Sequence, residues 1–276
     1  MQSFLEIYDL NSGEVRRVLE TDRHIEAPNW DAWRDALVVN GDGRLFRVGL
    51  DGGPLVEIET GLGNLNNDHG LMPDGARLVL SENVKGRGSV IYMVPAEGGQ
   101  ATQVSGDPGA YWHGVSPDGE TLAFCGKRNG QFDIYTMPSE GGPEVQLTGR
   151  DGFEGHNDGP DFSVDGDWIW FNSDRTGPAQ IWKMRRDGSE VQQVFEDDHV
   201  NWFPHPSPDG EWVVYLAYPP GTLQHPPMKE VALCLMRPDG SERRRILEFT
   251  GGQGTINVPS WAPDGSAFAF VRYSAS

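Results

Sequence analysis

A short turn motif recurs through this chain at nearly constant spacing, and a fixed period restricts the fold more tightly than any local propensity does. It reads Met72-Pro-Asp-Gly75, Ser116-Pro-Asp-Gly119, Ser163-Val-Asp-Gly166, Ser207-Pro-Asp-Gly210 and Ala262-Pro-Asp-Gly265. The aspartates Asp74, Asp118, Asp165, Asp209 and Asp264 are 44, 47, 44 and 55 residues apart. Each turn is followed by a short apolar run, such as Leu122-Ala-Phe, Trp168-Ile-Trp-Phe or Trp212-Val-Val-Tyr, which predicts a buried strand. A second apolar run, a glycine turn and a last strand complete each unit, as in Val90-Ile-Tyr-Met-Val, Glu97-Gly-Gly and Ala101-Thr-Gln-Val. An earlier unit, Ala27-Pro-Asn-Trp-Asp-Ala-Trp followed by Leu37-Val-Val-Asn, fits the register with Trp33 in the aspartate's place, 41 residues before Asp74.

Six four-stranded units follow from this spacing. The sixth has its inner strands between Val258 and Tyr273 and no outer pair after them. The missing pair is at the front: Leu5-Glu-Ile-Tyr-Asp-Leu, Asn11-Ser-Gly and Val15-Arg-Arg-Val-Leu match the second half of the other units. The expected fold is therefore all-β, a six-bladed β-propeller closed by its amino-terminal strands, because closure leaves only short protected sheet edges. It is expected to form one domain over 1–276, with blades at about 26–60, 66–104, 111–148, 156–195, 200–248, and 256–276 joined by 1–20.

The Ser-Pro-Asp-Gly turn and the run Phe171-Asn-Ser-Asp-Arg-Thr-Gly-Pro-Ala-Gln-Ile-Trp-Lys-Met-Arg-Arg-Asp-Gly resemble the TolB-type, WD-like propeller repeat over nearly the whole chain. That resemblance implies a bacterial protein and a binding module. It also embraces peptidase gates and lyases, so fold alone does not choose a function. In outline the six units are also similar to oligogalacturonate lyases.

Composition narrows the partners. Thirty-six glycines and 20 prolines suit a turn-rich fold, while nine tryptophans and 12 phenylalanines supply bulk for a core. The formal charge of -19 would repel phosphate backbones and anionic lipid, so no nucleic-acid partner is expected. No apolar run approaches the roughly 20 residues that span a bilayer, so no membrane insertion is expected. The amino terminus lacks a basic region and a continuous apolar run, which predicts a cytoplasmic protein, periplasmic only if a leader has been removed. Cys125 and Cys234 stand alone in apolar runs and read as reduced core residues.

No G-x-S-x-G, H-E-x-x-H, C-x-x-C or P-loop signature occurs, so no catalytic residue is assigned. No cofactor and no metal are expected. The run Asp161-Phe-Ser-Val-Asp165-Gly166-Asp167 starts like a calcium loop, but its twelfth position is Asn172 where a bidentate glutamate belongs.

A propeller's innermost strands line its channel, and the segments entering them form one mouth. Five residues before the turn position stand Pro28, His69, His113, Pro160, Pro204 and Pro259, so two neighbouring blades carry histidine where four carry proline. Seven before stand Glu26, Asn67, Tyr111, Asp158, Trp202 and Asn257, a polar and aromatic ring suited to a polar ligand. His24 and His156, nine before, read as solvated loop histidines. The hairpin loops Lys85-Gly-Arg87, Lys127-Arg128 and Ser173-Asp-Arg175 concentrate positive charge at the same mouth. Arg128 is the stronger candidate for ligand contact, whereas Arg175 belongs to the repeat motif and is expected to pair with an acid such as Asp161. The insertion Tyr218 to Lys229 in the fifth blade reads equally as a cover over the mouth or as a tolerated surface loop.

The expected site is thus His69, Tyr111, His113, Arg128, Asp158, Arg175 and Trp202. It would bind a peptide, a protein segment or a small acidic ligand in a monomeric protein. The alternative is a lyase or hydrolase of acidic oligosaccharides, with a histidine base, with or without a histidine-bound metal.

Overall fold

The structure is a computed structural model and describes residues 1–274. Positions 275 and 276, the end of the expected last blade, lie outside the described residues. The chain opens with β1 (Ser3–Asp9) and β2 (Val15–Thr21). The first blade is β3 (Glu26–Asp31), β4 (Ala36–Gly41), β5 (Arg44–Gly49) and β6 (Val56–Ile58). The second is β7 (Leu65–Leu71), β8 (Arg77–Val84), β9 (Gly88–Pro95) and β10 (Thr102–Gln103). The third is β11 (Ala110–Val115), β12 (Thr121–Arg128), β13 (Gln131–Pro138) and β14 (Val145–Gln146). The fourth is β15 (Asn157–Phe162), β16 (Trp168–Ser173), β17 (Gln180–Arg185) and β18 (Gln192–Gln193). The fifth is β19 (Val200–Pro206), β20 (Val213–Tyr218), β21 (Lys229–Met236) and β22 (Arg244–Gly251), and β23 (Ala267–Tyr273) ends the chain.

Each of the first five blades is an antiparallel meander in chain order. The sixth closes the ring: β1 lies between β2 and β23, with Ser3 opposite Tyr273 and Ile7 opposite Ala269. Its innermost segment is reduced to a bridge between Trp261 and Phe268. The core lies between neighbouring blades. Trp202, Leu216, Tyr218, Leu233, Phe268 and Phe270 pack the fifth against the sixth, while Leu5, Ile7, Val271, Leu37 and Val39 pack the sixth against the first. Burying such side chains contributes about 1.5–3 kcal/mol each.

The Asp-Gly turns behave as turn chemistry requires. Asp118 Oδ1 accepts from the Glu120 amide at 2.9 Å and Asp209 Oδ1 from the Glu211 amide at 3.0 Å. Gly119, Gly166 and Gly210 take φ of 73°, 73° and 74°, a region that costs a residue with a Cβ. No helix among the described residues is long and apolar enough to cross a membrane.

A register break recurs in all five inner strands, at Glu26/Asn29, Leu65/His69, Trp112/Gly114, Asp158/Asp161 and Trp202/His205. Such bulges re-aim side chains. They fall between nine and four residues before the turn position.

Candidate functional site

The re-aimed side chains meet at one mouth of the channel around a cavity of about 200 Å³. Asp68 of β7, Tyr111 and His113 of β11, Cys125 of β12 and Phe132 of β13 form one side. His156, just before β15, and Asp158 form another, and Gln224, His225 and Gln253 cover them.

Asp158 is the centre. Its Oδ1 accepts from the Gly159 amide at 2.8 Å and lies 3.2 Å from His113 Nε2. Its Oδ2 faces His156 Nε2 at 3.2 Å and His225 Nε2 at 3.7 Å. The other nitrogen of His113 lies 3.2 Å from the Asn257 carbonyl, so both ring nitrogens face acceptors and both must carry protons. Burial alone would lower His113, but the hydrogen bond and charge of Asp158, together with the charge of Asp68, raise it to about 9. Burial would likewise raise Asp158, and its bonds to His113 and His156 hold it well below the usual carboxylate range. Asp68 is held less strongly. Burial lifts it to about 6 against the His113 charge and a 2.7 Å bond from Asn257 Nδ2.

Several expected site residues meet here and others do not. Tyr111, His113 and Asp158 line the cavity. Trp202 lies in the core, its ring 4.5 Å from that of His225 and 5.4 Å from that of His156. His69 is inside the channel: Asn29 Nδ2 donates to the Pro259 carbonyl, which leaves Asn29 Oδ1 to accept from His69 Nδ1 at 2.6 Å. Burial lowers His69 to about 3, and its Nε2 has no partner among the described residues.

The arginines are committed elsewhere. Arg128 donates to the carbonyls of Pro108 and Gly109 at 2.9 and 3.0 Å and to Glu144 at 2.6 Å. Arg175 pairs with Asp151 at 3.5 Å and lies over the Phe153 and Trp182 rings. The pairing of Arg175 with Asp161 expected from sequence is not formed. Asp161 instead faces His205 Nδ1 at 2.9 Å, because both belong to channel-lining strands while Arg175 sits in an outer hairpin.

One histidine reading changes. His156 is no solvated loop residue: it stacks on Phe132 at a 4.6 Å centroid distance and bonds Asp158. His24 stacks on Tyr273 at 5.1 Å and approaches Glu26 at 3.4 Å. The fifth-blade insertion covers the mouth, anchored by a 3.2 Å bond from the Tyr218 hydroxyl to the Pro226 carbonyl. Sequence reasoning missed Asp68, Phe132 and His225; Cys125, read as a reduced core residue, is a free buried thiol that also borders the cavity. The one available signal was the lone histidine of a proline-rich insertion at the mouth.

A family model described as the TolB beta propeller domain matches residues 109–230. An uncharacterized protein of Agrobacterium fabrum is 44% identical over 275 residues, 99% of this chain and 93% of its own. A solved structure from Agrobacterium tumefaciens, provisionally assigned as a TolB, is 42% identical with a TM-score of 0.96, covering 100% of this chain and 99% of that one. An oligogalacturonate lyase solved in complex with manganese is 15% identical with a TM-score of 0.60, over 96% of this chain and 77% of its own. At that identity the likeness concerns the fold alone.

Proposed function

This chain belongs to the TolB-type β-propeller family, and on that premise we propose that it is a recognition module holding a polypeptide at the covered mouth of its channel. The observation that carries this reading is the cavity under the insertion, where Asp68 and Asp158 form part of the wall and no lysine or arginine does. The case for an acidic ligand rested on Lys85, Arg87, Lys127, Arg128 and Arg175, none of which lines the cavity: Arg128 and Arg175 are engaged elsewhere, and Lys127 lies over the Phe132 ring at 4.9 Å. A basic side chain or an amino terminus suits the cavity better. Its cation would face Asp68, its approach would be steered by the acidic surface, and Tyr111 would offer an aromatic face. Leu223, 86% exposed on the insertion, offers an apolar contact at the rim.

Calorimetry with lysine-bearing peptides, the same peptides acetylated, and acidic peptides tests this reading. Asp68→Asn should weaken binding of the basic peptide roughly ten- to a hundredfold, the 1.5–3 kcal/mol typical of a charge-assisted bond. Stronger binding of the acidic peptides, or no effect of Asp68→Asn, would overturn it.

A second reading, a lyase or hydrolase of acidic oligosaccharides, is favoured by the joined His113, Asp158 and His156. Acid–base groups displaced from their ordinary values gather at functional sites. Release of new chain ends from uronic-acid oligomers decides that question.

A further inference from the structure

Cys125, His156 and Asp158 bring a sulfur, an imidazole nitrogen and a carboxylate oxygen within 4.8 Å of one another in the cavity wall. We propose that these three residues, with His225 of the insertion as fourth donor, form a binding site for a zinc-class transition-metal ion. This inference goes beyond the recognition reading and does not depend on it.

The geometry favours a tetrahedral ion. Bonds of about 2.0–2.3 Å place the donors of a tetrahedral site roughly 3.3–3.8 Å apart. The separations from Asp158 Oδ2 to His156 Nε2 and His225 Nε2 are 3.2 and 3.7 Å, so two edges of the tetrahedron already stand. The Cys125 sulfur, which makes a 3.4 Å contact to the Asn157 carbonyl, is the donor that must draw in. Asp158 is already oriented to receive an ion. The Gly159 amide and His113 hold its Oδ1, and Oδ2, which faces His156 and His225, is left to ligate, as outer partners commonly arrange for metal-bound carboxylates.

Donor chemistry selects the class of ion. One sulfur, two nitrogens and one oxygen suit zinc, cobalt or copper and disfavour magnesium and calcium, which take oxygen ligands. Charge is balanced as well. A thiolate and a carboxylate neutralise a divalent ion, and binding would displace the Cys125 proton and the proton between His156 and Asp158 into solvent. The rival reading is that this proton is all the carboxylate needs. His225 argues against it, because the insertion brings a second imidazole nitrogen to an oxygen already served by the first.

The test is titration of the chelator-treated full chain with cobalt(II) and then zinc(II). One equivalent of cobalt should produce tetrahedral ligand-field bands and a near-ultraviolet thiolate-to-cobalt charge-transfer band, both removed by one equivalent of zinc. Zinc at stoichiometric concentration should also raise the Tm. Cys125→Ser should abolish the charge-transfer band, and His225→Ala, a change on the covering loop that tests the site should the cysteine variant not fold, should weaken cobalt binding at least tenfold. Absence of the charge-transfer band in the wild-type protein, its persistence in Cys125→Ser, or unchanged cobalt affinity in His225→Ala would each overturn the site.

Discussion

His113 donates from Nε2 to Asp158 Oδ1 across 3.2 Å, tying the inner strand of the third blade to that of the fourth with two buried groups. The pair is costly to form and costlier to halve. Removing one partner of a buried charge pair typically destabilises by about 3–5 kcal/mol, because the other is left charged and dry.

The pair makes stability depend on pH in a set direction. His113 is raised from an ordinary 6.5 to about 9, so the native state keeps a proton that the unfolded chain gives up. Its contribution is fully present below pH 6.5 and lost as pH rises through 9. His69 acts oppositely: lowered to about 3, it contributes above pH 6.5 and loses that contribution as pH falls. In urea melts, the stability difference between wild type and His113→Gln should shrink as pH is raised from 6.5 to 9. A difference constant across that range would disprove the coupling.

Ring closure makes the amino terminus structural. β1 is the central strand of the last sheet, so deleting residues 1–20 exposes the edge of β23 and the apolar face beneath Leu5 and Ile7. The expected loss is several kcal/mol against a total of about 5–15. Cooperative melting of the truncated protein near the full-length Tm would count against closure.

Turn glycines should affect stability without touching the site. A Cβ at Gly119 would meet nothing nearer than Pro73 Cδ at 3.7 Å, so the strain of Gly119→Val lies in its φ of 73°. A β-branched residue there should cost about 1–3 kcal/mol. Cobalt or peptide affinity, measured on the folded fraction, should be unchanged, since the turns lie at the opposite end of the channel from the cavity. A selective loss of affinity would place the site at the wrong mouth.

Arg128 should prove structural. Its guanidinium joins the Pro108 and Gly109 carbonyls to Glu144, and Arg128→Ala should destabilise by about 1.5–3 kcal/mol, as expected for hydrogen bonds to a charged group. Peptide affinity should stay within twofold. A tenfold loss of affinity in a variant of unchanged Tm would return the guanidinium to the site.

Fold and site were legible in the sequence to different depths because they are written at different ranges. Blade number, strand order and ring closure follow from Asp-Gly turns and apolar runs, which are local patterns repeated at a fixed period. Register counting also reached Tyr111, His113 and Asp158, since homologous positions in successive blades point to one axis. It could not distinguish His113 from His69, although both sit five residues before a turn aspartate. Only their neighbours differ: Asp158 and the Asn257 carbonyl for one, the amide oxygen of Asn29 for the other. Charge counting misplaced Arg128 and Arg175, because an arginine near the mouth in sequence finds carbonyls and carboxylates of its own hairpin or a neighbouring loop first. The meeting of Cys125, His156, Asp158 and His225 draws on two adjacent blades and an insertion nearly 70 residues beyond His156. No periodic signal encodes it, and tertiary packing alone decides which donor atoms share a cavity.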